Sequence, residues 1–473
     1  MFSLSGISFC RPLSMIAAAG LLSACAATDR QMPTPIRTAY VVMGESGVSV
    51  ARLLTTDAQC PAIRFDDREA RMDLRGAPGS VPLRPTISAP ADSKASDFPI
   101  RVCEKSIPPG TWKANIGDIA LPLPAAEIKR IVVIGDTGCR LKKSEAAYQA
   151  CNDAKQYPFA KVAAAAANWK PDLVIHVGDF EYRENECPAG NPECAGSPWG
   201  YGWDTWQADF FDPAATLLKA APWVMVRGNH ESCVRAGQGW WRMIDPRPLL
   251  PGRDCNDAAN DGTGDYSDPY AVPLGDDAQL IVLDTSNTSS GVIPEGDVRQ
   301  VKYRDMYGKL ETLSQRASYN IVANHHPILG FFASQDKQGK VTVWPGNQGV
   351  QSVFGAINPL IMPPRINALL SGHVHLWQEV SFSSPHPTQF IAGFSGTMED
   401  VVPLPVELPR GATPASGAVV EHHSSWAGGF GFMTMERTGT NQWEVKVWDT
   451  AGHQVNSCSM NGSHSACEQV QVK

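Results

Sequence analysis

Five apolar runs in this chain each stop at a residue type that binds metals. Ile131-Val-Val-Ile leads into Gly135-Asp136, and Leu173-Val-Ile-His-Val leads into Gly178-Asp179. Trp223-Val-Met-Val-Arg leads into Gly228-Asn229-His230-Glu231. Ile321-Val-Ala-Asn ends in His325-His326, and Ile366-Asn-Ala-Leu-Leu-Ser leads into Gly372-His373-Val374-His375. Short continuous apolar runs are the sequence form of strands buried on both faces. In α/β sheets, ligands collect at the carboxyl ends of the strands. Five such endings in order, offering Asp, Asn, His and Tyr, point to one shared metal site.

The rhythm between these runs is strand, helix, strand. Helices are expected from Tyr157 to Lys170, Asp204 to Ala221 and Asp297 to Ala317, with a buried strand from Gln279 to Asp284. That order predicts parallel strands covered by helices. After His375 the pattern turns to strands at 378–382, 389–394, 429–435 and 443–448, which suit a second sheet packed on the first. No internal repeat is visible.

A chain of 473 residues is too long for one ordinary domain. Residues 1–24 read as a leader, because Arg11 precedes the apolar run Met15 to Leu22, which is followed by Ser-Ala-Cys25. This stretch resembles a bacterial lipoprotein signal. The resemblance implies cleavage before Cys25, a lipid anchor to the membrane on its sulfur and, with Ala26 next, an outer-membrane lipoprotein facing the periplasm or cell surface. A plain signal peptide is the alternative. Residues 25–37 suit a tether. Residues 38–125 read as a small β-rich N-terminal domain, with strands at 38–43, 49–55 and 98–103. That region has no His and no ligand-like acidic cluster, so it is read as a spacer or lid. Residues 126–473 then form the catalytic domain.

A formal net charge of −8 and the lack of a basic stripe argue against a nucleic-acid partner. Of the 12 cysteines, Cys10 falls in the leader and Cys25 at its cleavage point, and an even number follows, the pattern of disulfides in an exported chain. Spacing favours Cys60–Cys103, Cys139–Cys151, Cys187–Cys194, Cys233–Cys255 and Cys458–Cys467, with other pairings open at this stage.

The ordered motifs are Gly135-Asp136-Thr137-Gly138, Gly178-Asp179-Phe180-Glu181-Tyr182, Gly228-Asn229-His230-Glu231, Val322-Ala323-Asn324-His325 and Gly372-His373-Val374-His375. Together they resemble the calcineurin-like metallophosphoesterases and, more narrowly, the purple acid phosphatases, over roughly residues 128–400. The resemblance implies an α/β (α+β sandwich) fold, a four-layer α/β/β/α core beside the small N-terminal β domain. It implies a binuclear metal centre. One metal would take Asp136, Asp179, Tyr182 and His375. The other would take Asp179, Asn229, His325 and His373, with Asp179 bridging. The donor types agree with Fe(III) in the first, anionic set and a divalent ion (Fe, Zn or Mn) in the second. Many relatives carry Asp-x-His at the first motif. Here Gly138 stands in that place, and Tyr182 is read as the substitute ligand. Thr137 stands where the purple phosphatases commonly have Trp.

The implied reaction is hydrolysis of a phosphate monoester, a small phosphorylated substrate, by attack of metal-bound hydroxide. His230 would protonate the leaving group, and Asn229 and His326 would touch the phosphate, with packing behind His325 the alternative for His326. Glu231 is read as orienting His230 or its loop, and His176 as a core histidine. The loop from Arg183 to Gly202 reads either as part of the site mouth or as a disulfide-pinned surface loop. The alternatives are a phosphodiesterase or nucleotidase on the same site, or a non-catalytic metal-binding envelope lipoprotein. The sequence is silent on oligomeric state.

Overall fold

The computed structural model describes residues 35–468. The expected signal peptide, the expected lipid attachment at Cys25 and most of the expected tether lie outside the described residues. Two twisted sheets carry the fold. The larger has eleven strands. In spatial order they are His464–Cys467, Gln454–Asn461, Gln442–Asp449, Gly431–Gly439, Arg130–Ile134, Leu173–His176, Trp223–Met225, Ile36–Met43, Ser49–Thr55, Arg101–Ser106 and Asp73–Gly76. The smaller has seven: Tyr270–Gly275, Ala278–Val282, Tyr319–Ala323, Ile366–Ser371, Thr388–Ala392, Trp377–Phe382 and Val420–Trp426. The strands at the centre of each sheet run parallel, and antiparallel strands flank them.

Alternation along one strand explains the layering. Ile131 and Val133 point into an apolar layer shared with Leu280, Ile321, Leu370 and Phe390 of the second sheet. Val132 and Ile134 point the other way, into a layer with Phe159, Val162, Phe210 and Leu217. The outer face of the second sheet is covered by the helices Val298–Ser314 and Gln348–Ile357. The result is the expected α/β/β/α stack. All five favoured disulfides form, as suits a compartment more oxidising than the cytosol. No helix among the described residues is long and apolar enough to cross a membrane.

The segment from Asp204 to Ala221 departs from expectation. It is broken into Trp203–Trp206, a π-helical turn at Gln207–Phe211, and Ala215–Leu218. Trp206, Asp209, Phe210 and Phe211 are all buried. The wider π turn brings residues five apart onto one face, which a regular α-helix cannot do.

Residues 38–125 are β-rich, as expected. They have a small core of their own around Leu53, Ile63, Phe65 and Ile116. Their first strand also continues the larger sheet, with Val42 paired in parallel to Trp223. Two fully buried arginines join the parts further. Arg52 donates to the carbonyls of Met243 (2.6 Å) and Asp245 (3.0 Å). Arg75 donates to those of Trp241, Arg242, Asp245 and Arg247 at 2.6–3.1 Å. Those from Trp241 to Asp245 end the helical turn Trp240–Ile244, where backbone acceptors lack intrahelical partners. Glu104 balances both guanidinium charges, at 3.1 and 2.9 Å.

Candidate metal centre

Register places the ligand-type residues side by side. Ile134 pairs with His176, and His176 with Met225, so Asp136, Asp179 and Asn229 emerge at one edge of the larger sheet. Ala323 pairs with Leu370, so His325 and His373 emerge from the smaller sheet. Asp136, Asp179 and His373 lie in the left-handed backbone region, with φ of 54°, 58° and 70°. Asp and His tolerate it better than most residues. The turns are tight enough to demand glycine beside them. A Cβ on Gly228 would land on the Asp179 carboxylate, and one on Gly372 would sit 2.5 Å from Asp136 Oδ2.

Four expected ligands converge on one point. Tyr182 Oη lies 2.8 Å from Asp136 Oδ1, 2.9 Å from Asp179 Oδ2 and 3.1 Å from His375 Nε2. Asp179 Oδ2 is also 3.1 Å from His325 Nε2, which in turn is 3.1 Å from Asn229 Oδ1. Thus one carboxylate oxygen stands between the two sets. The His373 ring is 5.2 Å from that of His325. His326 packs against His373, with ring centroids 4.2 Å apart, and its buried Nδ1 has no hydrogen-bond partner.

The backbone fixes which imidazole nitrogens face inward. His325 Nδ1 is 2.9 Å from the Val177 carbonyl and His375 Nδ1 is 3.0 Å from that of Met398, leaving both Nε2 atoms for the centre. Such outer partners orient the metal-binding nitrogen. Burial, then Asp136 and Asp179, raise the Tyr182 phenol well above its ordinary pKa. Burial, then His325, push His373 down to about 3. A neutral imidazole and crowded carboxylates are a donor set that a cation would neutralise.

His230 sits beside this cluster. Its Nδ1 is 3.1 Å from both the Glu181 carbonyl and the Glu184 carboxylate, and its Nε2 is 3.9 Å from Asp179 Oδ2. Burial, then Arg235, lower its pKa against the pull of Asp179 and Glu184. Glu231 does not touch the His230 ring. It accepts from the backbone N–H of Asp179 (3.0 Å), Phe180 (2.8 Å) and Gly228 (3.0 Å), tying two ligand loops together. His176 is buried, stacked on Phe180, and 3.0 Å from Thr137 Oγ1. Thr137 is thereby used in packing rather than at the site.

Sequence reasoning missed Glu184, Asp209 and Arg235. Asp209 is fully buried and accepts from Cys139 N, Tyr182 N and Arg183 Nε at 3.1, 2.9 and 2.6 Å. Nothing in its helical context marks it. Glu184 and Arg235 each lie five residues past a motif residue, Asp179 and His230, and that proximity is the one signal that could have found them. Of the loop from Arg183 to Gly202, Glu184 reaches the site, while Pro192 and Glu193 line a separate cavity. His422 pairs with Glu379 and His423 faces the Pro405 carbonyl, both on an edge strand of the smaller sheet. The site opens into a cavity of about 810 Å³, lined in part by Asp179, Tyr182, Asn229, His230, His326, His373 and His375.

The comparisons agree with this fold. Among solved structures, a purple acid phosphatase from yellow lupin (Lupinus luteus) seeds is similar at TM-score 0.52 and 11% identity, covering 92% of this chain and 75% of that one. PhoD is similar at TM-score 0.51 and 13% identity, covering 93% and 94%. At such identities the likeness concerns the fold. No curated protein sequence matches the chain. The model of the family described as calcineurin-like phosphoesterase matches residues 129–376. That span runs from the first ligand strand to just past His375, more than half of the 473 residues, and the chain belongs to the calcineurin-like phosphoesterase family.

Proposed function

We propose that this hydrolase is an exported phosphomonoesterase of the purple-acid type, working at a binuclear centre of Fe(III) and a divalent ion. The observation that carries the reading is the position of Tyr182 Oη, within 2.8–3.1 Å of Asp136, Asp179 and His375. Two carboxylates, a phenol and an imidazole make an anionic pocket suited to a trivalent ion. Asp179 would bridge to the second ion, held by Asn229, His325 and His373. When bound, the two ions neutralise phosphate charge and supply an activated water.

The side chains of this chain do the rest. Asn229 and His326 hold the ester on the floor of the cavity. His230, held through Nδ1–H by Glu184, presents Nε2 to the oxygen that leaves and, as the imidazolium that the Glu184 carboxylate favours, gives it the Nε2 proton. The leader and the five disulfides support export, and Cys25 supplies the anchor.

A visible absorption spectrum of the iron-loaded protein, beside Tyr182→Phe, tests the reading. A purple band that disappears in the variant is the expected result. An oxidised, iron-containing but colourless wild-type protein would remove Tyr182 and Fe(III) from the proposal. Phosphate release from an aryl ester, compared with Asp179→Asn, tests the activity itself, and equal rates would sink it.

A further inference from the structure

The strands Phe332–Gln335 and Val341–Trp344 form a hairpin directly after the His325-His326 turn. Its inward face is accounted for: Ala333 is fully buried, and Val341 and Val343 pack on the outer core of the smaller sheet. Its other face is not. Phe332 and Trp344 sit directly opposite each other across the ladder, so their rings project together. They are 39% and 45% exposed, and they lie nearly parallel with centroids 6.0 Å apart. An exposed aromatic pair contributes little to folding where it stands.

Both rings line the cavity that holds Asn229, His230 and His373. The hairpin is fixed relative to that floor. Phe331 exchanges hydrogen bonds with the Gln378 side chain at 2.8 and 3.0 Å. Asn347 N donates to the Pro327 carbonyl at 2.8 Å, closing the two legs right beside His326. Trp344 Nε1 donates to Ser334 Oγ at 3.1 Å, which holds the indole plane. Of the cations in the same cavity, Arg140 meets Asp400 and Glu145, and Lys142 meets Glu145. Arg235 meets Glu184 through Nε at 3.5 Å and keeps a buried Nη1 without a hydrogen-bond partner. Beside these charges, the cavity offers ring faces.

We propose that Phe332 and Trp344 form a stacking platform for the leaving group, so that the preferred substrate is a phosphate monoester carrying a flat ring, of the nucleoside monophosphate class. This rests on the phosphoesterase reading above. A volume of about 810 Å³ accommodates such a molecule, since ligand sites span roughly 300–1,000 Å³.

The test compares adenosine 5′-monophosphate with glycerol phosphate on the metal-loaded full chain, using wild type, Phe332→Ala, Trp344→Ala and Trp344→Phe. Base stacking on an aromatic side chain corresponds to at least about five-fold. Wild type should prefer the nucleotide in kcat/KM. Each Ala variant should lose at least that factor on the nucleotide, mostly through KM, while glycerol phosphate turnover stays within about two-fold. Trp344→Phe should retain most of the preference. A wild type without ring preference, or Ala variants that slow both esters alike, would overturn the platform and leave the phosphoesterase standing. Binding is read independently by nucleotide quenching of tryptophan fluorescence, which should weaken in Trp344→Phe. Quenching without turnover of either ester would instead sink the phosphoesterase and keep the platform.

Discussion

Replacing Glu231 with Gln should loosen the metal site without touching an expected ligand. The carboxylate is fully buried. One oxygen accepts from Asp179 N and Gly228 N at 3.0 Å, and the other from Phe180 N at 2.8 Å. Glutamine keeps the shape but turns one acceptor into a donor. In its better orientation the amide oxygen keeps Asp179 and Gly228, and the NH2 group meets the Phe180 N–H donor to donor. Two buried donors are left without partners, at about 1–3 kcal/mol each. Burial, then Asp179, raise this carboxyl to about 8, so above that pH relief of a buried charge offsets part of this, and the expected loss there is about 2–4 kcal/mol. Urea unfolding of the metal-free protein measures it. The second effect is on the metals. Asp179 is held from behind by Glu231, and losing such an outer partner typically costs about 10–100-fold in metal affinity. Competition against a chelator reads that change. A variant with wild-type stability and wild-type affinity would refute the argument that Glu231 locks the Asp179 and Asn229 loops together.

Three further outcomes are expected. His230→Ala should cut kcat by about 10²–10⁴ at unchanged metal content, and Glu184→Gln by less, because Nδ1 keeps a neutral partner; unchanged kcat in His230→Ala removes it from proton transfer. Arg75→Met orphans the carbonyls of Trp241, Arg242 and Arg247, while Asp245 keeps Arg52, and should destabilise by about 3–5 kcal/mol, as breaking buried ion pairs does. Metal-loaded activity at low temperature should survive, and loss of activity without loss of stability would contradict the clamp. Joint replacement of Cys60 and Cys103 by Ser opens a loop spanning 43 residues. On the chain-entropy model this costs about 4 kcal/mol in thermal or urea unfolding, and a shift under about 1 kcal/mol would mean the unfolded chain is little constrained there.

The strand endings were legible because each central strand is buried on both faces. Burial on both faces makes an apolar run, and the run must stop where a polar side chain leaves the sheet. Cys139 and Cys151, twelve residues apart, likewise left a local trace. Contacts between distant segments left none. Arg52 reaches Met243 across 191 residues, and no periodicity announces that an arginine in an early strand ends a helix so far away. The change of rhythm near residue 125 was visible, but pairing between Val42 and Trp223 was not, because a parallel partner can lie anywhere in the chain. Asp209 was hidden for a related reason. A π turn aims it inward, while the pattern from Asp204 to Ala221 read as an ordinary amphipathic helix.

The strained residues explain why the site works as one unit. Asp136, Asp179 and His373 each occupy the left-handed region, at about 1–3 kcal/mol apiece. Each is held there by another part of the site. His373 N donates to Asp136 Oδ2 at 2.9 Å, Asp136 N to the Gly178 carbonyl at 3.0 Å, and Asp179 N to Glu231 at 3.0 Å. The chain of bonds runs from the His373 loop through the Asp136 and Asp179 loops to that of Asn229, crossing from one sheet to the other. No strained turn is stable on its own account, so releasing one weakens the restraint on the next. Metal affinity should therefore fall in concert when any of these loops is loosened. In double variants that loosen two of them, the second change should cost less than it does alone. Strict additivity of the two losses would show that the loops are held separately.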